Sequence, residues 1–195
     1  ATEYGVPLDK VHWVTTADEP VDFQPPANVT VERMGRGKTL GEELVRGEVS
    51  AYLSPRPPKP YLEQAQEVGR LFSDPRKEEI NYYKRNGFYP IMHVIALKAE
   101  IVDKNPWIAL SVMEGFQNAQ KIWTGYMDDP NWSRLTWGRH YLEEERNVFG
   151  GDPWAIGVES NRANLERFIS YEYEQGLIPN KMNVDDLFFE TTVKS

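Results

Sequence analysis

Apolar residues are arranged in two patterns along the chain. Short runs mark four candidate strands: VHWVT at 11–15, VTVERM at 29–34, a run at 49–53, and 89–98 within FYPIMHVIALK. Runs of this length, rich in β-branched and aromatic residues and bounded by turn formers, read as strands. The last is the most apolar: Ile91, Met92, Val94, Ile95, Ala96 and Leu97 follow one another with little polar relief. It is expected to be buried, with His93 at its middle. Strand alternation places Ile91, His93 and Ile95 on one side and Met92 and Val94 on the other.

The second pattern has helical period. In WIALSVMEGFQNAQKIW and the residues after it, apolar positions recur at 108, 112, 116, 119, 123 and 126, and Asn105-Pro106 opens the run. Shorter helices are expected at 61–72, from Asp74-Pro75 to Gly87, at 139–149 and at 160–175, the last stopped by Gln175-Gly176 with Pro179 beyond. Thr39 and Glu42 have capping-box spacing before a face of Leu40, Leu44 and Val45, and Gly47 can end that helix. Pro20, Pro25 and Pro26 mark a loop between the first two strands. SPRPPKP at 54–60 cannot continue a helix or a central strand.

Residues 11–54 thus read as a β-loop-β-α-β unit. Strands come early and helices late, with a proline-rich crossing between them. This suggests an α/β fold of two lobes with an interlobe cleft and a helical C-terminal layer. The divisions expected are 1–58 as one α/β lobe, 59–88 as a helical crossing segment, and 89–195 as the rest of the other lobe with the C-terminal helices. Ligands in such folds sit at strand ends, between lobes.

Composition narrows the partners. The 195 residues carry a formal net charge of −8. This argues against nucleic acid or an anionic membrane as the main partner, since both require a basic face. A few local arginines would still suffice for a small anion. The absence of cysteine removes disulfide and thiolate chemistry and fits either cytoplasm or periplasm. No apolar run approaches the length of a membrane helix. The opening ATEYGVPLDKVHWV reads as the end of a helix followed by a strand, so a processed chain, or part of a longer one, is expected.

Three blocks carry a family resemblance. LFSDPRKEEINYYKRNGFYPIMH (71–93), GKTLGEELVRGEVSAYLSPRPP and DPWAIGVESNRANLERFISYEYEQGL (152–177) occur in the order seen in the 4,5-dihydroxyphthalate decarboxylase family, which they resemble. The pattern departs at Asn86 and Tyr89, where threonine and phenylalanine are expected. The resemblance implies a type 2 periplasmic-binding-protein-like fold lacking its N-terminal part. It also implies decarboxylation of a hydroxylated aromatic dicarboxylic acid, and the cytoplasm as the place of action. Such chemistry needs a proton donor at the ring carbon, cationic clamps for carboxylates and an acceptor for a phenolic proton. It requires no redox cofactor and demands no metal, and no cofactor is expected.

On that reading His93 and Glu79 are the catalytic candidates. Imidazole titrates near neutral pH, and Glu79 would accept a proton or orient His93. The competing readings are a core histidine with both nitrogens satisfied and a glutamate on a solvated helix face. Arg56 and Arg76 are the carboxylate clamps, since guanidinium matches carboxylate in bidentate geometry. Arg76 has i,i+3 spacing to Glu79 and could instead pair with it. Ser54 and Tyr83 complete the substrate-binding set, although Tyr82 and Tyr83 could simply pack. Asn161 and Arg162 are expected to tie the C-terminal helix in place, while His12 and His140 have no obvious partners. No metal motif is visible, and self-association is left open. A protein of another class, a solute-binding protein that delivers an anion to a transporter from the periplasm, fits the same fold.

Overall fold

The computed structural model describes residues 2–17 and 24–195. The fold is mixed α/β and mostly helical. Strands β1 (His12–Thr15) and β2 (Thr30–Arg33) pair in parallel, with His12 opposite Thr30 and Thr15 opposite Arg33. A parallel pair needs a crossover between its strands. Pro25 and Pro26 lie on that crossover, whereas Pro20 lies outside the described residues. The helices are α1 (Leu40–Val45), α2 (Lys59–Leu62), α3 (Pro75–Asn86), α4 (Ala99–Lys104), α5 (Ile108–Asp128), α6 (Gly138–Phe149), α7 (Val158–Glu174) and α8 (Glu190–Val193). The chain separates into two compact units, Ala1–Pro75 with Glu172–Pro179, and Arg76–Tyr171 with Asn180–Ser195.

In the first unit the Thr39 side chain accepts from the Glu42 N–H at 3.3 Å, as the capping spacing predicts. Glu43 is buried where α1 packs against α2, and its carboxylate is met by Lys38 Nζ at 2.8 Å and Arg46 Nη1 at 3.1 Å. The Lys38 hydrogen bond is the main reason that its carboxyl stays below the ordinary glutamate range. A buried carboxylate is tolerated only with such partners. His12 does have a partner: its Nε2 lies 3.1 Å from Glu32 on the neighbouring strand.

The second unit holds the apolar core. Val158, Leu165 and Ile169 lie at i, i+7 and i+11 on one face of α7, and join Val102 of α4, Ala109 of α5 and Val184. Burying side chains such as Leu165 and Ile169 stabilises the unit by about 1.5–3 kcal/mol each. α8 meets α5 in the same unit.

Two predicted strands are not formed. Residues 49–53 are irregular: the N–H groups of Glu48 and Val49 both donate to the Glu43 carbonyl, which closes α1 and removes Val49 from any ladder. Leu53 is 91% exposed. Residues 89–97 are likewise without regular structure and not buried, with Met92 66% exposed and His93 at the surface. Apolar content supplies a reason to bury a segment, but a strand also needs a neighbour for its N–H and C=O groups. Among the described residues no strand pairs with this segment. The helix expected at 61–72 is only the single turn of α2, because Gln64 adopts a left-handed backbone (φ 59°) and turns the chain away. α5 keeps its predicted span, yet Phe116, Trp123 and Tyr126 of its apolar stripe remain exposed.

Candidate functional site

The second unit contains two adjoining hollows, and both take their shape from helical spacing. Arg76, Glu79 and Ile80 share one face of α3. Tyr141, Glu145, Val148 and Phe149, at i, i+4, i+7 and i+8, share one face of α6. These faces, with Tyr89, Pro153 and Trp154, enclose a hollow of about 460 Å³. Two contacts hold the helices together: Arg76 Nη2 lies 2.7 Å from Glu144 Oε2, and the Tyr83 hydroxyl donates to the Phe149 carbonyl at 3.0 Å. The Tyr83 and Phe149 rings also meet edge to face, 4.6 Å apart. At its other side α6 is tied to the end of α5, where Asp128 receives Arg146 at 2.8 Å.

The hollow combines aromatic walls with unpaired acids. Among the described residues no cation pairs with Glu79 or Glu145. Both carboxylates act on Tyr89, whose phenol is raised above its ordinary range, first by burial and then by the charges of Glu79 and Glu145. Tyr89 therefore stays a neutral phenol in a hollow that also holds both carboxylates. Its backbone is fixed by Asn164 of α7, and its ring packs edge-on against Phe149 and Trp154, with centroids 5.7 and 5.2 Å away. Trp154 is itself pinned: Gln120 of α5 donates to its carbonyl at 2.7 Å and to Asp152 at 2.9 Å, and the Trp154 N–H donates to Asp152 at 2.8 Å.

The neighbouring hollow, about 450 Å³, shares Tyr89, Pro153 and Trp154 with the first. It is lined mainly by apolar groups, among them Met92, Ile95, Phe116 and Phe189, and it contains His93. The start of α7 lies at its edge. There the Glu159 N–H donates to the main-chain oxygen of Ser195 at 2.8 Å and the Val158 N–H donates to Ser195 Oγ at 3.3 Å. Gly157 is required at this place, because a Cβ would stand 2.8 Å from Ser195 and φ is +134°. Asn161 donates to the carbonyls of Ala155 and Gly157, and Arg162 bridges Glu159 and Asp185, so both serve to fix the start of α7.

Of the residues singled out from the sequence, Arg76 and Glu79 come together in one hollow and His93 lines the next. Arg76 pairs with Glu144 rather than with Glu79. Tyr83 lines neither hollow and ties α3 to α6. Arg56 and Ser54 belong to the first unit, where the Ser54 hydroxyl accepts from the Arg56 N–H at 3.2 Å in a tight turn. Tyr141 and Glu145 escaped the sequence reading, and the signal was their i,i+4 spacing within the helix expected at 139–149. No group of three or more His, Asp or Glu side chains among the described residues is placed to hold a metal ion.

No family model matches the chain. Over 201 residues it is 24% identical to 4,5-dihydroxyphthalate decarboxylase of Comamonas testosteroni, an alignment that takes in 99% of this chain and 61% of that protein. The chain therefore spans less than two thirds of the curated relative it matches. It is, along almost its whole length, a distant relative of a decarboxylase.

Proposed function

We propose that this chain supplies the ligand site of a carboxy-lyase acting on a hydroxylated aromatic dicarboxylic acid of the 4,5-dihydroxyphthalate type. One observation carries the reading: a single hollow brings the Arg76 guanidinium and the Glu79 carboxylate together between aromatic walls, in a chain similar to such a decarboxylase. Its size lies within the range of about 300–1,000 Å³ usual for small-molecule sites. The two-lobed, type 2 periplasmic-binding-protein-like organisation, with lobes divided around residues 58 and 88, belongs to the same proposal.

In this account an aromatic ring lies among Tyr89, Phe149 and Tyr141. Arg76 takes one carboxylate through charge-assisted hydrogen bonds, and Glu79 takes the proton of a phenolic hydroxyl. The phenolate para to the departing carboxylate pushes electron density onto the carbon that bears it. That carboxylate points over the shared rim toward His93, whose imidazolium delivers a proton to the same carbon. The C–H bond forms, the C–C bond to the carboxylate breaks, and carbon dioxide leaves as the ring regains aromaticity. Glu79 returns its proton to the phenolate, and solvent reprotonates His93, so one proton is consumed per turnover.

The test is to incubate purified protein with 4,5-dihydroxyphthalate and follow carbon dioxide and dihydroxybenzoate together. Equal release of both is expected. Tight binding without turnover would instead favour a solute-binding protein.

A further inference from the structure

We infer that the apolar hollow beside His93 is the seat of the carboxylate that leaves, and that it promotes the departure by holding no cation other than the proton donor itself. The inference rests on the proposed reaction and deepens it. The two hollows differ in charge. The first carries Arg76, Glu79 and Glu145, whereas the described residues lining the second, of about 450 Å³, include no lysine, arginine, aspartate or glutamate. Ala109, Val158 and Leu165 of the buried core form part of its wall. Three of its polar side chains are already engaged within the protein. Asn161 donates to the carbonyls of Ala155 and Gly157, Thr192 to that of Phe189 at 2.8 Å, and Ser195 to that of Thr192 at 2.6 Å. One carboxylate of an aromatic diacid thus meets the Arg76 guanidinium, and the other meets apolar walls and His93.

Such surroundings favour the products of the step over its reactants. The bond from the ring carbon to the carboxylate breaks, and its electron pair takes the imidazolium proton to form the new C–H bond. One anion and one cation become neutral carbon dioxide and neutral imidazole. A carboxylate against apolar walls gives up hydration, and pairing with a single imidazolium does not in general make up for that loss. Carbon dioxide carries no charge to hydrate, so the penalty is relieved as it forms. A lysine or arginine in the same place would act in reverse, holding the carboxylate more firmly than the transition state that leads away from it.

Calorimetry with benzoate and benzene-1,2-dicarboxylate, which lack the hydroxyl that drives the reaction, isolates the second carboxylate. The wild-type protein is expected to bind the two about equally, since that carboxylate gains little where it lies. Phe116 lines the hollow and is half exposed, so its replacement leaves the core intact. Phe116→Lys should bind the diacid about tenfold more tightly than benzoate, the worth of one hydrogen bond to a charged group, and turn over 4,5-dihydroxyphthalate more slowly by up to about that factor. Phe116→Gln, which adds a donor but no charge that could act on His93, should move both quantities the same way by less, and serves if the lysine variant does not fold. A preference for the diacid of about tenfold in the wild-type protein would overturn the inference while leaving the reaction intact. So would a folded variant that shifts neither quantity, or one that binds the diacid more tightly with turnover undiminished. If the wild-type protein releases no carbon dioxide from 4,5-dihydroxyphthalate, the reaction itself is misassigned and the inference falls with it.

Discussion

Asn164 donates from Nδ2 to the main-chain oxygen of Tyr89 at 2.6 Å, across 75 residues of sequence, and is itself only 5% exposed. This bond joins the buried face of α7 to the segment that forms the rim of the candidate site. Asn164→Leu keeps the branched outline of the side chain but leaves the Tyr89 carbonyl without its donor. A buried acceptor deprived of its partner costs about 1–3 kcal/mol. Urea unfolding should therefore show a lower midpoint at an unchanged slope, together with weaker binding of aromatic diacids. An unchanged midpoint would mean that the bond holds nothing in place.

Arg76 is shared between the hollow and Glu144, both about half exposed. Arg76→Ala should weaken binding of an aromatic dicarboxylate by roughly 1.5–3 kcal/mol, the worth of hydrogen bonds to a charged group. Arg76→Lys should also lose affinity, because lysine lacks the fork. Glu144→Gln should strengthen binding by releasing Arg76 from its competitor. Calorimetry on the three variants checks the order, and weaker binding in Glu144→Gln would show that the pair acts by positioning α3 against α6.

Acid should destabilise the fold through a defined set of carboxylates. Hydrogen bonds hold four carboxyls below their ordinary range: Glu43 by Lys38, Asp128 by Arg146, Glu143 by Arg139 and Glu159 by Arg162. A depressed value in the folded state means that the unfolded chain takes up these protons first as pH falls. The stability from these pairs is fully present above the ordinary carboxylate range, near pH 4, and is lost as pH drops through the folded values. Urea midpoints should be level from neutral pH to about pH 5 and fall below about pH 4. Lys38→Met should make that fall shallower. Stability that rises on acidification would contradict the assignment.

Local signals were legible in the sequence, and relationships between distant segments were not. Thr39 caps α1 as its spacing implies, and Gly87 and Gly176 stop α3 and α7 with φ of +77° and +78°. Each is a matter of a few neighbouring residues. The apolar run at 89–98 misled because composition says how much a segment gains from burial and nothing about which partner covers it. The same limit applies at the candidate site. Arg76 and Glu79 are neighbours on one helix face, so their presence in one hollow could be read from i,i+3 spacing. That Glu145 faces them from α6, and that Tyr83 spends its hydroxyl on Phe149, depends on how α3 and α6 are docked.

His93 now has a definite setting: an exposed side chain on an irregular segment, at the edge of an apolar hollow. A histidine so exposed is not needed for core packing, so His93→Asn should melt like the wild type and retain most ligand affinity. Turnover should drop by about 10²–10⁴-fold, the usual contribution of one positioned acid or base. Full activity in His93→Asn would move the proton donor elsewhere, with Tyr89 and Glu145 the next groups to replace.

The central claim is that a proton replaces carbon dioxide on the ring carbon, and the reaction in deuterated water tests it most directly. With 4,5-dihydroxyphthalate as substrate, the account predicts 3,4-dihydroxybenzoate carrying one deuterium at the position vacated by the carboxylate, formed in step with carbon dioxide and seen as the loss of that single proton signal by NMR. Recovery of unaltered diacid after prolonged incubation with folded, ligand-binding protein would contradict it.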